Sequence, residues 1–411
     1  MLNQLPSLFF IPVFMCFLLM FFSIPGSIAG LEMSSFLLFC LLVLRELYLK
    51  LNRQKSVFVA SGFHRYFLLL WLWIIISSYL AGLSSSVVYD SFVSGRFALV
   101  FIVVYTAIYM FPDKIRSLSP LFHIHFAWIA VYGTIQAFRA WEFPLGQGAL
   151  PEIIRVQGFF SNTMTYSYVF GMWFCFFMAN LITSRQKNWK SILLWLCCIL
   201  MGISLIFTLT RGMWIAVLIS CGIIALLSKG FKKKLMLAGL GLAMLVMLAT
   251  PSIRSRVLSS WDLNNTSNSM RMEIWKAHLS VGLDHFWTGT GTGGKAEKLK
   301  KYYEKNPGQY NIISHAHNNY IEVFSSNGII GLILYVGLFL CLTIKSLQIY
   351  LAAQNNELKK LALGAFAAQL VFHIGGLTEC TFFDYEVVYS LIIICAVLIG
   401  VYRSKYLPKA Y

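Results

Sequence analysis

The stretch His317-Asn318-Asn319-Tyr320-Ile321-Glu322-Val323-Phe324-Ser325-Ser326-Asn327-Gly328-Ile329-Ile330-Gly331 carries a long polar segment into an apolar run centred near Val336. A run of that kind, about 20 residues with few charges, crosses a bilayer as a helix because lipid leaves no other partner for its backbone amides. His317 and Asn318 therefore stand at a membrane–water boundary, where an ionisable side chain is a candidate for function. The Gly328 to Gly331 step allows a second helix or a ligand to approach the backbone closely.

Outward from this boundary the pattern repeats. Apolar runs are centred near Phe17, Leu42, Trp73, Val103, Ala130, Trp173, Leu200, Ile219, Gly241, Val336, Ala368 and Ile393, so twelve spans are expected. The chain is 58% hydrophobic and only 12% charged, about half the charge fraction of a soluble domain. The expected fold is all-α: a polytopic membrane bundle over residues 1–411, with a partly helical loop at 251–314 inserted between spans nine and ten. No Lys or Arg precedes the first apolar run, so that run is expected to be retained as a span.

Positive charge sets the orientation. With the N-terminus cytoplasmic, one side of the membrane holds 20 basic and three acidic residues, and the other holds 13 of each. The net charge of +17 is then cytoplasmic topology signal, not a nucleic-acid footprint. Both termini are expected in the cytoplasm and the 251–314 loop on the opposite, external side of the membrane. The nine cysteines fall almost wholly within spans, with no CxxC and no Cys/His ligand spacing, and read as small buried hydrophobes.

Outside the membrane, Arg139 to Ser161 and Pro251 to Ser314 are the larger segments. Met270 to Leu283 reads as a helix with Arg271, Trp275 and His278 on one face, and Lys295 to Lys305 reads as a second, basic helix. Arg211 opens the eighth span, where a cation opposes the helix dipole, so helix stability does not account for it. A fixed guanidinium there can clamp an anion through two parallel hydrogen bonds. Arg155, in Arg155-Val156-Gln157-Gly158, is another external arginine close to a helix start.

His315 lies two residues before His317, a spacing that would point the two rings apart on a helix. Neither an HExxH motif nor an acidic cluster is present, so no metal or other cofactor is expected. Gly289-Thr290-Gly291-Thr292-Gly293-Gly294-Lys295-Ala296 nearly spells a phosphate-binding loop, but Ala296 replaces the Mg²⁺-binding hydroxyl. A flexible turn shaping the external loop is the expected reading.

Together these residues resemble the O-antigen ligase and O-antigen polymerase superfamily of bacterial glycosyltransferases. The ligase pattern is His, then Asn, Ser or Gln, then nine residues, then Gly-x-x-Gly. It is met by His317, Asn318, Asn319 through Asn327, Gly328 and Gly331. Arg211 in Thr210-Arg211-Gly212-Met213-Trp214 and Arg271 before Glu273-Ile274-Trp275 match two further motifs, and Arg155 to Asn162 a weaker one. The resemblance implies a glycan donor on undecaprenyl pyrophosphate, the lipid A core as acceptor, and transfer at the periplasmic face to complete lipopolysaccharide. It implies His317 as base, Arg211 and Arg271 on the pyrophosphate, and Arg155, Asn318, Trp275 and His315 as substrate contacts. Membrane lipids are the other expected partners; nucleic acid is not one. An O-antigen polymerase and a protein O-oligosaccharyltransferase share the superfamily. A transporter would want a charged midplane site, and the spans hold little beyond Arg45-Glu46 and His373.

Overall fold

The computed structural model describes residues 5–24, 26–53, 61–113, 118–137, 155–184, 188–259, 262, 265–308 and 310–406. The protein is an all-helical polytopic membrane protein. Each of the twelve expected span centres falls inside a helix: α1 (Leu5–Ser23), α2 (Ile28–Leu51), α3 (Phe63–Leu80), α4 with α5 (Ser85–Ser94, Arg96–Met110), α6 (Ser119–Ala137), α7 (Thr163–Thr183), α8 (Trp189–Ile206), α9 (Arg211–Leu227), α10 (Phe231–Ala249), α14 (Asn319–Ala352), α15 (Asn356–Gly375) and α16 (Tyr385–Tyr406). Seven of the twelve are long and apolar enough to cross a membrane by length and composition; α1 and α9 are shorter apolar helices. The segment between α10 and α14 forms α11 (Pro251–Leu258), α12 (Thr266–Asp284) and α13 (Lys295–Lys305).

Helix α15 is the hub, packed on α7, α9, α14 and α16. Its composition explains this. Ala362, Ala365, Ala367 and Ala368 are fully buried, and a methyl added at Gly364 would stand 2.6 Å from the Phe176 ring of α7. Small residues let two backbones approach in a setting where lipid supplies no hydrophobic drive for association. The start and end of the helical chain share one face: Phe10 packs on Phe111 at 5.5 Å, and Lys405 pairs with Asp113. His317 stands just before α14, at the opposite face.

Helix α14 is two helices joined across a kink at Gly328, whose φ of 67° and ψ of −172° leave the helical region. The freed backbone finds partners elsewhere. The Trp73 indole donates to the Asn327 carbonyl at 2.8 Å, Thr290 N–H donates to the Ser325 carbonyl at 3.0 Å, and Ile329 N–H donates to the Phe286 carbonyl at 2.8 Å. A methyl on Gly328 would lie 2.3 Å from the Trp287 carbonyl oxygen, and one on Gly289 would lie 2.4 Å from Ser326. Two glycine backbones therefore face each other, both with positive φ. The near-phosphate-loop segment is a buttressed turn and not the flexible one expected: Thr292 N–H also bonds Ser78 Oγ at 3.0 Å, and Lys295 forms an ion pair with buried Glu322. The expected external segment at Arg139 to Ser161 lies outside the described residues up to position 154.

Candidate active site

Three arginines from three parts of the chain line one cavity of about 110 Å³, with Tyr168, Thr210, Ser267 and Glu379 among the other walls. Arg155 is fixed by its Nε donating to the Thr208 carbonyl at 3.0 Å and its Nη2 donating to Thr210 Oγ1 at 3.1 Å. Arg211 is the first residue of α9, and Leu209 before it takes φ 53°. A left-handed leucine costs about 1–2 kcal/mol, and such strain marks places where the surrounding structure fixes a geometry. Arg211 Nη1 donates to the Ser259 carbonyl at 2.8 Å and to Ser259 Oγ at 3.1 Å. Its Nη2 donates to Asn268 Oδ1 at 3.3 Å. Helix α12 supplies Arg271, half-buried against the same cavity.

The adjoining wall holds the histidines. His317 takes φ 48°, a conformation His tolerates better than most residues. The next residue, Asn318, caps α14 by accepting from Tyr320 N–H at 2.9 Å and Ile321 N–H at 3.2 Å. Its Nδ2 donates to the Leu377 carbonyl at 3.0 Å, so the amide holds the turn and the 376–382 loop together. Asn319 does the same from inside, donating to Thr381 Oγ1 at 2.8 Å and accepting from Phe382 N–H at 2.9 Å. These ties bring Glu379 to the histidines. Its Oε1 lies 3.0 Å from His317 Nδ1 and 3.2 Å from His315 Nε2, and Oε1 also accepts the Cys380 N–H at 3.0 Å. Burial pushes the Glu379 carboxyl up, but hydrogen bonds from His315 and His317 outweigh it and hold the group well below the usual carboxylate range.

Sequence spacing misjudged this pair. The i, i+2 separation directs two rings apart on a helix, but His315 and His317 lie in the turn before α14, and their Nε2 and Nδ1 atoms are 3.1 Å apart. With Glu379 they form a trio whose ligand atoms all lie within 4.8 Å of one another, a set able to hold a cation. Neutral imidazoles and a carboxylate suit a borderline divalent metal. They suit equally a base held by a carboxylate, and the sequence offered no signal for Glu379, 62 residues from His317.

Helix α12 supports the turn from the other side. Trp275 Nε1 donates to the Ala316 carbonyl at 2.8 Å, and His278 bridges Ser325 Oγ at 3.1 Å and the Ser314 carbonyl at 3.0 Å. The shared face expected for Arg271, Trp275 and His278 is present, but it does two jobs: Arg271 lines the cavity while Trp275 and His278 grip the 314–317 turn. Glu322 adds a third support by accepting the Ala316 N–H at 2.8 Å.

The chain's own cationic wall, base candidate and carboxylate thus converge on one face of the bundle. The matched family segment, described below, includes Arg211, Arg271, His317 and the glycine pair, and leaves out Arg155 and Glu379. No curated protein matches the chain. Residues 196–336, about a third of the chain, match the family model described as O-antigen ligase, a similarity that supports the O-antigen ligase and polymerase superfamily of membrane glycosyltransferase-like enzymes.

Proposed function

We propose that this protein is an O-antigen ligase: it moves a polysaccharide from undecaprenyl pyrophosphate onto the sugar core of lipid A at the periplasmic face of the inner membrane. The observation that carries this reading is the cavity lined by Arg155, Arg211, Arg271 and Glu379, with Glu379 reaching across to His317. A lipid pyrophosphate is already a good leaving group, so the transfer calls for cations to stabilise departing charge and a base for the acceptor hydroxyl.

In this reading His317 Nδ1–H is held by Glu379, which leaves Nε2 to take the acceptor proton. The acceptor oxygen attacks the anomeric carbon in line, the bond to the pyrophosphate oxygen breaks, and configuration inverts. Arg211 and Arg271 bear on the developing phosphate charge, and Arg155 supports the donor from the same wall. Glu379 stabilises the imidazolium as it forms, as the carboxylate of a catalytic triad does. Asn318 and Trp275 act by holding the turn, and His315 shares the carboxylate. The chemistry asks for no metal and no nucleotide.

The glycan phenotype of a deletion strain tests the proposal. Lipid A core without polymer, with lipid-linked polymer accumulating, is expected. Core carrying a single repeat unit would instead make the protein a polymerase, and intact lipopolysaccharide with lost protein glycosylation would make it a protein O-oligosaccharyltransferase.

A further inference from the structure

A second and larger cavity, about 700 Å³, opens at the opposite face of the bundle, where the helical chain starts and ends. Its volume lies within the roughly 300–1,000 Å³ range of small-ligand sites. Its two ends differ in character. The interior is aromatic: Phe122, Trp173, Phe176 and Phe177 line it, with Trp173 packed on Phe122 at 6.2 Å and on Phe177 at 5.6 Å. The mouth is polar and basic, with Lys190, Lys360 and Lys405.

Charge at the mouth is arranged for an anion. Lys360 pairs with Glu357 at 3.0 Å and Lys405 with Asp113, so both carboxylates are answered by lysines. Lys190 is not in an ion pair among the described residues and lies over the Trp189 ring, 5.7 Å from its centre. Three helices begin at this mouth: α6 at Ser119, α8 after its cap Asn188, and α15 after its cap Asn355. Each contributes the positive end of its dipole. An apolar interior beneath a cationic rim, at a membrane face, matches a molecule with alkyl chains and a single phosphate.

We propose that this cavity binds an anionic phospholipid of the leaflet opposite the histidine site, its phosphate at Lys190 and the three helix starts and its acyl chains along Trp173 and Phe177. The proposal does not depend on the transfer chemistry assigned above.

Quenching of tryptophan fluorescence tests it on the purified full chain in phosphatidylcholine nanodiscs doped with acyl-brominated phosphatidylglycerol. The part of the quenching due to Trp173 is isolated by comparison with Trp173→Phe. Trp173 is expected to be quenched at a several-fold lower mole fraction of brominated phosphatidylglycerol than of brominated phosphatidylcholine. Lys190→Gln should raise the required mole fraction roughly fivefold, the worth of one lysine near an anionic lipid, and Lys190→Arg should restore it. Equal quenching by the two lipids, or no response to Lys190→Gln, overturns the proposal. So does displacement of the brominated lipid by millimolar inorganic phosphate, which would mark a soluble-anion site. If Lys190→Gln fails to accumulate, the comparison of the two lipids on the wild-type chain decides alone.

Discussion

Replacing His317 by alanine should leave insertion intact and lower transfer by about 10²–10⁴-fold, the usual contribution of a positioned base. Measurement is by turnover of lipid-linked glycan in membranes with matched protein abundance; wild-type turnover would mean the base lies elsewhere, and a dead His315→Ala beside an active His317→Ala would move the role by two residues. Glu379→Gln keeps the shape of the carboxylate but removes its charge. It should lower kcat by less than His317→Ala does and leave KM for the donor unchanged, because the proposed role is to orient and stabilise the imidazole in the transition state. A rise in KM alone would assign Glu379 to donor binding. Arg211→Ala should cost about 2–4 kcal/mol of transition-state stabilisation, as loss of one oxyanion donor does, and Arg211→Lys should recover little of it, because lysine lacks the fork geometry. At this scale the sequence was partly legible. A histidine at a polar-to-apolar boundary and an arginine against a helix dipole are local signals. Glu379 is not: its partners are set by Asn318 and Asn319 reaching to Leu377 and Thr381, contacts no spacing rule anticipates.

Among the elements, the kinked α14 shows why the glycine motif exists. Gly328→Ala must hold a positive φ and bring a methyl to 2.3 Å from the Trp287 carbonyl. A loss of about 2–4 kcal/mol is expected from the strained backbone and the overlap, read as a lowered Tm of the purified chain; an unchanged Tm would show that the two backbones part without cost. Helix α12 carries a second measurable property. Burial first, and the Lys295 charge second, lower the His278 pKa to about 4. Between pH 6.5 and 4 the unfolded segment takes up a proton that the folded one refuses, so stability is present above 6.5 and is lost as pH falls towards 4. The full effect is about 3 kcal/mol. Hydrogen exchange of α12 should speed up over that window, and His278→Gln should flatten the dependence; exchange insensitive to pH in the wild type, after correction for intrinsic rates, would count against it. The helix itself was legible from its periodicity. Its second job was not, because the partners of Trp275 and His278 are the Ala316 and Ser314 carbonyls, backbone groups that leave no trace in composition.

For the molecule as a whole, reporter fusions near Lys232 should read cytoplasmic and those near Lys298 periplasmic, from the imbalance of 20 to 13 basic residues across the membrane; the reverse would turn the site inward. Transfer should also survive EDTA. Loss of turnover on chelation with recovery on adding Mg²⁺, Mn²⁺ or Zn²⁺ would make His315, His317 and Glu379 a metal centre and not a base with its carboxylate. The bundle was the most legible level, since each of the twelve apolar runs falls in a helix, whereas the packing of α15 as a hub depends on contacts such as Gly364 on Phe176 that pattern does not reveal. One of those long contacts has a temporal meaning. Asn327 Nδ2 bonds Ser77 Oγ across 250 residues, and Glu379 follows His317 by 62. A ribosome finishing α14 has already made both histidines and all three arginines, yet their carboxylate is still untranslated. The His317 imidazole is therefore without its carboxylate while the next 62 residues are made and gains it only with the late arrival of the 376–382 loop, a form of assembly timing written into the order of the chain.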